Sequence, residues 1–561
     1  MRRQEIPLYK LGLLTLAALL ATTSHSALAQ PIGAGGQLQQ IPPAPVPDRT
    51  IPEIRIERSQ ARADLPDTGE RILVTSLQVT GETLFSEAEL VAATGFQPGA
   101  QMSLGDLRTL AGRITAYYNS RGYFVAQAYL PAQDIRDGAV TIAVVEGHYG
   151  AVTLNNTSRL SNGVASGILS GLDSGDVVAN APLERRLLLL SDIPGVGVNS
   201  TLAPGAAVGT SDLVVDIVDT RLITGSIQAD NAGNRYTGEY RAGGAVNFNN
   251  ITGHGDVASL RVLSSFEGMN YARASYQTQL REATVGVAYS WLGYELGEEF
   301  AALEADGTAT ILSAYASYPL IRSYRTNLYG LVVAEAKSFE DNIGATDFTS
   351  EKSARVLTAG LNGEHRDSFG GGGWSFFSLN ASFGDLDIET DVVRAVDEIT
   401  AQTNGGYQKL AYEVGRLQQI AGPVSLYGVV RGQIASKNLD SSEKMELGGA
   451  YNVRAYPEGE GFGDEGYVAT LEARLTLPPW SLPGRLQAFG FVDHGQITIN
   501  KDPWAAGDNS RTLSGAGVGL TWAEVNNFMV KVSYAMKLGD EEATSAPDRD
   551  GRLWVQLSKF F

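Results

Sequence analysis

The sequence predicts a transmembrane β-barrel of about sixteen antiparallel strands, preceded by two small α+β modules. Three observations support this fold class: an N-terminal signal peptide, a β-α-α-β-β order that occurs twice before residue 220, and a two-residue hydrophobic period after it. All six tryptophans and 17 of the 23 tyrosines also lie after residue 220. The parts of the chain before and after residue 220 therefore differ in hydrophobic pattern and in aromatic content.

Length and composition exclude cysteine-based sites and argue against nucleic-acid binding. A chain of 561 residues is longer than one compact core usually holds. Because the sequence has no cysteine, disulfides, thiolate metal sites and cysteine nucleophiles are excluded. The formal net charge is −19, and it becomes −21 without the signal peptide, from 40 basic and 61 acidic residues. We expect no nucleic-acid partner, since a phosphate-binding face needs clustered lysine and arginine.

Residues 1–29 have the three parts of a secretory signal peptide. A short basic region precedes the apolar stretch "LGLLTLAALLA" at residues 11–21, and "ALA" at 27–29 fits a small-x-small cleavage site. The apolar stretch is too short to span a bilayer as a helix. No later stretch reaches about 18 consecutive apolar residues, so the mature chain is expected to be either periplasmic or a membrane β-barrel.

Residues 30–70 form a predicted proline-rich linker. Seven of the 21 prolines fall there, at positions 31, 42, 43, 45, 47, 52 and 66. Proline at this density disfavours a regular helix and favours an extended, semi-rigid chain.

Residues 71–148 are predicted to form the first α+β module. The strand "RILVTSLQVTG" is followed by two helices, which begin with Ser86 and Glu89 and with Ser103 and Asp106 in capping-box spacing. The segments "YFVAQAYLP" and "AVTIAVVEG" have the pattern of strands. Residues 149–220 repeat this order, with helices predicted at "LSNGVASGILSGL" and "PLERRLLLLSDIPG". A repeated order indicates tandem domains.

From residue 221 to 561 the hydrophobic period is two, which predicts the barrel. In "GYVATLEARLTL" and "FMVKVSYAMKL" apolar residues alternate with polar ones, as is typical of transmembrane barrel strands. About sixteen such segments begin near residues 222, 238, 255, 270, 282, 309, 325, 352, 373, 407, 422, 466, 485, 511, 527 and 552. An even number suits a closed antiparallel barrel, which can enclose an aqueous lumen at this size. The alternative is a soluble β-sandwich.

One loop of this region, residues 437–465, contains a glycine-rich stretch with a single arginine. The stretch "GGAYNVRAYPEGEGFGDEGY" at 448–467 carries Arg454 and, behind it, Glu458, Glu460, Asp464 and Glu465. These four carboxylates could bind a cation weakly, but we expect them to be solvated.

Asp493 lies on a later predicted strand and needs a cation. It alternates with Phe491 and Gly495, while Val492 belongs to the opposite face. An ionised carboxylate that faces lipid is costly, so Asp493 is expected to point into the lumen. The chain ends in Phe561, which with apolar residues at alternate positions before it resembles the end signal of bacterial outer-membrane barrels, although Lys559 interrupts that pattern.

Two such modules before a sixteen-stranded barrel resemble the outer-membrane transporters of two-partner secretion. These form the TpsB class, or haemolysin/haemagglutinin secretion-activation family, in a superfamily that includes the barrel-assembly insertases. The stretches "YYNSRGYFVAQAYLPAQDIRDGAVTIAVVEG" and "LLLLSDIPGVGVNSTLAPGAAVGTSDLVVDI" are similar to the first and second polypeptide-transport-associated (POTRA) domains of that class. The resemblance covers roughly residues 71–561.

The resemblance implies a location and a function. The barrel would lie in the outer membrane of a Gram-negative bacterium, with POTRA 1 (71–148) and POTRA 2 (149–220) in the periplasm. The POTRA domains would recognise an unfolded exoprotein, a large β-helical protein of the TpsA type, and the barrel would export it without ATP. Membrane lipid and, during biogenesis, the barrel-assembly machinery would be further partners.

The resemblance also implies a contact between the loop and the barrel wall. In this superfamily an inward loop carries a Val-Arg-Gly-Tyr tip, whose arginine pairs with the aspartate of a Phe-x-Asp-x-Gly strand. Here the tip is Val453, Arg454, Ala455 and Tyr456, and the strand motif contains Phe491, Asp493 and Gly495. Arg454 is thus expected to pair with Asp493. Ala455 replaces the family's glycine, which puts in doubt any tip geometry with positive φ. The alternative is an ordinary surface loop with a solvated arginine.

Many members of this class have an N-terminal helix that plugs the pore. Between the cleavage site and Pro42 only residues 30–41 are available, and Gly33, Gly35 and Gly36 make them a poor helix. We therefore expect a plug helix that is short at best.

The sequence gives no sign of an enzyme. The four histidines of the mature chain share no metal-ligand spacing, and neither G-x-S-x-G nor G-x-x-x-x-G-K-[ST] occurs, so no cofactor or metal is expected. Two other functions stay open. An assembly insertase usually has more POTRA domains than the two that fit here, and a passive porin needs neither receptor modules nor a signature loop.

Overall fold

The structure is a computed structural model, and it describes residues 33–45, 53–56, 69–478, 481 and 483–561. The predicted signal peptide and much of the linker lie outside the described residues. Two pieces of the linker are described: helix α1 (Ala34–Gln39) and strand β1 (Glu53–Ile56). In the described part of the chain, no helix is both long and apolar enough to cross a membrane.

The first module contains two small sheets, of two and three strands, and two helices. Its elements are β2 (Arg71–Val74), β3 (Ser76–Thr80), α2 (Glu87–Thr94), β4 (Ala100–Ser103), α3 (Leu104–Ser120), β5 (Gln127–Tyr129) and β6 (Ala139–Val145). Both predicted capping boxes form, at Ser86 with Glu89 and at Ser103 with Asp106. The apolar face of α3 supplies Ile114 to a core shared with the strands. The four-residue β4, which pairs with β2, was not predicted because it is too short to show a period.

The second module repeats the order with longer strands. Its elements are β7 (His148–Asn156), α4 (Asn162–Leu169), α5 (Asn180–Ser191), β8 (Val196–Pro204) and β9 (Thr210–Asp219). The sheet order is β1-β8-β9-β7, so the linker strand β1 lies at its edge, parallel to β8.

The rest of the chain forms a closed barrel of sixteen strands, which confirms the predicted fold class. The strands are β10 (Ile223–Asp230), β11 (Arg241–Asn249), β12 (Val257–Ser264), β13 (Met269–Leu280), β14 (Ala283–Glu295), β15 (Ala305–Arg322), β16 (Thr326–Ile343), β17 (Phe348–Asp367), β18 (Gly373–Ile388), β19 (Gly405–Ala421), β20 (Val424–Ala435), β23 (Glu465–Thr476), β24 (Arg485–Thr498), β25 (Ser510–Glu524), β26 (Phe528–Lys537) and β27 (Gly551–Phe560). The predicted starting positions differ from these by four residues at most, at Ala305 and Phe348. All neighbouring strands are antiparallel, and β10 pairs with β27 to close the ring.

Shorter elements lie in the connections between the barrel strands. Helix α6 (Asp391–Ile399) follows β18, and the two-residue strands β21 (Met445–Glu446) and β22 (Phe462–Gly463) lie in the loop after β20. Short 3-10 helices occur at Glu298–Leu303, Gly344–Thr346 and Phe369–Gly371.

Helix α5 fixes the second module to one end of the barrel. In the turn between β13 and β14, Glu282 accepts a hydrogen bond of 2.6 Å from Arg185 and also pairs with Arg186. Just beyond α5, Asp192 accepts two hydrogen bonds, of 2.7 and 2.8 Å, from Arg322 at the end of β15. These turns therefore mark the module end of the barrel, and the loops after β14, β16, β18 and β20 lie at the opposite end.

Candidate functional site

Residues 436–464 connect β20 to β23 and fold back into the barrel. The pairing of β21 with β22 holds the two arms of this loop together. The tip, residues 453–456, is no more than 4% exposed at any position. Glycine permits this packing at Gly449, where φ is +104° and a Cβ would lie 2.3 Å from a carboxylate oxygen of Glu458.

Arg454 at the tip lies against Asp493 of β24. The Nε of Arg454 donates to Oδ2 of Asp493 at 2.8 Å, and Nη2 donates to Oδ1 at 2.7 Å. These two parallel hydrogen bonds are the geometry that favours arginine over lysine. Only 5% of the arginine side chain and none of the aspartate side chain is exposed. We call this pair the clasp, and the structure thus places together the two residues that the family resemblance paired.

A second carboxylate, Glu472 of β23, shares the arginine. Its Oε1 accepts from Nη1 of Arg454 at 2.8 Å, while its Oε2 accepts from Arg474 at 2.6 and 2.8 Å. Glu472 was not among the predicted site residues, although it lies on the polar face of the strand "GYVATLEARLTL" and directly opposite Phe491 in the register. A search for inward carboxylates on the strands next to Asp493 would have found it.

Three other side chains complete the surroundings of the clasp. The guanidinium carbon of Arg454 lies 3.4 Å from the centroid of the Phe491 ring, a close cation–π contact. Thr470 donates from Oγ1 to Oδ1 of Asp493 at 2.8 Å, and Trp554 of β27 donates from Nε1 to the carbonyl oxygen of Arg454 at 2.7 Å. Phe491 was predicted, whereas Thr470 and Trp554 carry no sequence signal because their roles depend on the barrel register.

Alanine fits at the third tip position because the wall opposite it is glycine. The φ of Ala455 is not positive, so this alanine is unstrained. A Cβ on Gly515 of β25 would lie 2.5 Å from the Cβ of Ala455. Gly495 allows a similar approach, since a Cβ there would lie 2.7 Å from a methyl carbon of Leu447. The doubt raised by the missing tip glycine therefore does not apply to this chain.

The remaining predicted tip residues, Val453 and Tyr456, are fully buried. Both belong to an apolar cluster with Leu447 and Phe491. The hydroxyl of Tyr456 donates to the carbonyl oxygen of Glu541 at 3.1 Å, so a buried aromatic keeps its polar end satisfied.

The expectation of a solvated loop is wrong for three of the four carboxylates behind Arg454. Glu458, Glu460 and Asp464 are 4%, 0% and 0% exposed. Glu460 accepts from the backbone N–H of Ser545 at 2.9 Å and pairs with Arg511, and Lys444 donates to Asp464 at 2.6 Å. Buried carboxylates need such donors, and the sequence could not show that the lumen excludes water from them. Glu465 is partly exposed.

A buried carboxyl pair lies between the two arms of the loop. Glu458 accepts from the backbone N–H of Ala450 at 2.9 Å, and Glu446 accepts from that of Gly459. Burial raises the pKa of Glu458, and burial together with the neighbouring Glu458 raises the pKa of Glu446 as well.

Wall lysines hold the base of the loop at the opposite end of the barrel. Glu443 pairs with Lys337 and with Lys409, both at 2.7 Å. Asp440 pairs with Lys352 at 2.7 Å. The loop is therefore bound at its base by two acidic side chains and at its tip by one arginine.

The six-residue helix α1 lies inside the barrel against this base. The backbone N–H of Ala34 donates to Oδ1 of Asp341 on β16 at 2.7 Å, and the side chain of Gln39 donates to the carbonyl oxygen of Ser442. Residues 34–37 are buried. The helix is short, as its glycine content predicted.

Phe561 closes the chain at the seam between β27 and β10. Its backbone N–H and carbonyl each form a 3.1 Å hydrogen bond with Gly225. The ring is 45% exposed and covers Gly225, where a Cβ would lie 2.5 Å from it. No group of three or more histidine, aspartate or glutamate side chains in the described ranges is placed to hold a metal ion.

Comparison with known proteins gives two family matches. The family described as haemolysin secretion/activation protein ShlB/FhaC/HecB matches residues 209–522, and the ShlB-type POTRA domain matches residues 72–147.

Individual relatives are similar over most of the chain. The heme/hemopexin transporter protein HuxB of Haemophilus influenzae (strain 86-028NP) is 30% identical, with 82% of each chain covered. The outer membrane transporter CdiB of Dickeya dadantii (strain 3937) is 24% identical, with 83% of each covered. The solved structure of CdiB from Escherichia coli has the same fold, with a TM-score of 0.69, 20% identity and coverage of 90% of this chain and 92% of that one. The chain therefore belongs to the haemolysin secretion/activation family of outer-membrane transporters, which secrete a partner protein.

Proposed function

We propose that this chain exports a large unfolded partner protein from the periplasm, and that the clasp keeps the loop across the lumen until the partner arrives. The observation that carries the proposal is the combination of a closed barrel with a loop tip bound to its inner wall. A passive pore gains nothing from a loop that crosses its lumen and is fixed to the wall by a buried ion pair. A transporter needs a seal that holds at rest and yields to its cargo.

The periplasmic modules are the proposed receptor. The second module is held at the barrel entrance by Glu282 and its two arginine partners, so a chain bound there lies next to the lumen. An extended partner segment can add to an exposed sheet edge through backbone hydrogen bonds. In the second module the edge at β8 is occupied by β1, in a register from Glu53 opposite Asn199 to Ile56 opposite Leu202.

Strand β1 gives this receptor a means of signalling to the lumen. Only residues 40–52 separate β1 from helix α1, which lies against the loop base. A partner strand that displaces β1 would free the segment that connects α1 to the second module. We therefore propose that binding of the partner at β8 and release of α1 from the barrel are coupled.

The partner itself supplies the driving force in this proposal. The sequence has no G-x-x-x-x-G-K-[ST] motif for a nucleotide-driven motor. A partner that folds outside the cell cannot slide back, so folding biases movement outward. A β-helical protein suits this step, because its repeats can fold one after another as they emerge.

The proposal includes two partners in the membrane. Exposed apolar side chains such as Leu471 and Val492, which are 58% and 48% exposed on the outer face, would contact lipid. The barrel-assembly machinery would recognise Phe561 before β27 pairs with β10 and closes the barrel. Catalysis forms no part of the proposed function.

The test is secretion of the partner with and without this chain. Deletion of the gene should abolish secretion while other outer-membrane proteins stay at normal levels, and purified chain in liposomes should translocate the partner without nucleotide. A general loss of outer-membrane proteins would instead indicate an assembly insertase. Unchanged secretion, or an absolute requirement for ATP, would refute the proposal.

A further inference from the structure

Three aromatic side chains form a row on the barrel wall near the module end. The ring centroids of Trp374 and Phe376 on β18 are 4.8 Å apart, and those of Phe376 and Tyr427 on β20 are 6.3 Å apart with planes inclined by 19°. All three side chains are half-buried, so part of each remains accessible. We call these three residues the aromatic row.

The strand register places this row inside the barrel. Tyr427 is directly opposite Glu472, whose carboxylate contacts the loop tip in the lumen. Leu417 on β19 is opposite both Tyr427 and Trp374, so these residues share the inner face. The neighbouring Phe377 belongs to the outer face and is 40% exposed.

The wall is shaped to hold Phe376 flat. A Cβ on Gly415, its register partner on β19, would lie 2.2 Å from the Phe376 ring, so only glycine permits this position. A ring that lies along the wall presents its face to the lumen. Trp374 is fixed separately, since its Nε1 donates to Oε2 of Glu364 at 2.8 Å.

The aromatic row connects directly to the clasp. The guanidinium carbon of Arg474 lies 4.1 Å from the centroid of the Tyr427 ring. Arg474 donates to Glu472, and Glu472 accepts from Arg454. A continuous series of contacts therefore runs from Trp374 at the start of β18 to the loop tip.

We propose that the aromatic row binds the extended partner polypeptide as it enters the lumen and leads it to the clasp. This proposal rests on the proposed export function. Flat ring faces attract apolar side chains and peptide planes of many kinds, which suits an unfolded chain of varied sequence. The row lies at the end where the periplasmic modules are fixed, while the described contacts of α1 and the loop base lie at the other end.

The test uses photocrosslinking with a defined probe. The full-length chain in lipid nanodiscs is mixed with a flexible, Gly/Ser/Asn-rich peptide of about 30 residues, about 100 Å when extended, with spaced leucines and a central benzophenone. After irradiation, adducts are mapped by mass spectrometry. Adducts are expected on β18 and β20, and Phe376→Ala or Tyr427→Ala should each reduce their yield by roughly 2- to 10-fold. Phe377→Ala, which removes the adjacent ring from the outer face, should leave the yield unchanged.

Further measurements separate the possible outcomes. Phe376→Leu keeps an apolar side chain over Gly415 but lacks the ring face, so it should reduce the yield as well, and heat-modifiable gel migration shows that each barrel is folded. Absence of wall adducts in the unsubstituted chain, or equal yields from the Phe376 and Phe377 variants, would overturn the proposal. Wall adducts together with secretion that does not depend on the chain would instead refute the proposed export function alone.

Discussion

Asp493→Asn is the most direct perturbation of the clasp. Asparagine has the size of aspartate but no charge, so the hydrogen-bonded ion pair of 2.7 and 2.8 Å is lost while the packing stays. Breaking a buried pair costs about 3–5 kcal/mol, but Arg454 keeps Glu472 as a charged partner at 2.8 Å. We therefore expect a cost below that range, about 2–3 kcal/mol, which corresponds to a roughly 30- to 150-fold increase in the population with a released tip.

The absence of cysteine makes this population measurable. A single Val453→Cys substitution places a thiol at a tip position that is 0% exposed without enlarging the side chain, so a maleimide reaches it only when the tip leaves the wall. If opening is fast relative to labelling, the labelling rate is proportional to the open population. The Asp493→Asn variant should therefore be labelled about 30- to 150-fold faster than the same chain with Asp493 intact.

Two matched variants set the scale of this effect. Thr470→Val removes one neutral donor to Asp493, so we expect a loss of about 1 kcal/mol and an increase of about 5-fold. The labelling rate of Glu472→Gln should lie between those of Asp493→Asn and Thr470→Val, because Arg454 then keeps its bidentate partner Asp493. Equal labelling rates for Asp493→Asn and the parent, or a larger effect of Thr470→Val, would refute the assignment of Arg454 and Asp493 as the main tip attachment.

Three further predictions concern packing, pH and docking. Gly515→Ala should push the tip away from the wall, because its Cβ would lie 2.5 Å from that of Ala455, and the cysteine labelling assay measures this directly. Because the pKa values of Glu446 and Glu458 are raised in the packed loop, protonation stabilises that loop fully below the ordinary carboxyl range, and this stabilisation is lost as pH rises through the raised values. Channel conductance should therefore increase with pH, and Glu446→Gln should weaken the dependence. Burial would raise the pKa of Glu282, but hydrogen bonds from its two arginine partners outweigh burial and lower it. Docking of the second module should thus weaken as pH falls below the ordinary carboxyl range. The Glu282→Gln variant should show the same weakening at neutral pH. Spin-label distances between the module and the barrel measure both effects.

The barrel could be predicted from the sequence because each strand shows its own period. Alternation of polar and apolar residues is a local property of the sequence. Each strand extends over many residues with one water-facing and one apolar face, so its starting position could be predicted within a few residues. The same reasoning placed Asp493 on the inner face and Val492 on the outer one, which are 0% and 48% exposed. Short elements such as β4 and β1 gave no usable pattern.

The surroundings of the clasp could be predicted only in part, because they depend on the register between strands. Arg454 and Asp493 were linked by a family motif, but Trp554 lies 100 residues from Arg454 and meets it only because the last strand closes the barrel. The prediction that Glu460 is solvated was wrong for the same reason. A run of acidic and glycine residues has the composition of a solvated loop, and no local signal shows that the loop lies inside a barrel.

The attachments at the tip and at the base of the loop have different consequences for opening. At the tip, release of Arg454 breaks a single cluster that contains no residue of α1. At the base, Glu443 is held by two lysines, and the backbone of Ser442 also accepts from Gln39 of α1. Loss of the clasp alone therefore frees the tip but leaves the base and the helix in place, whereas removal of α1 loosens the base but leaves the clasp intact. We therefore propose that export requires both events, and that a partner which displaces β1 before it meets Arg454 produces them in that order.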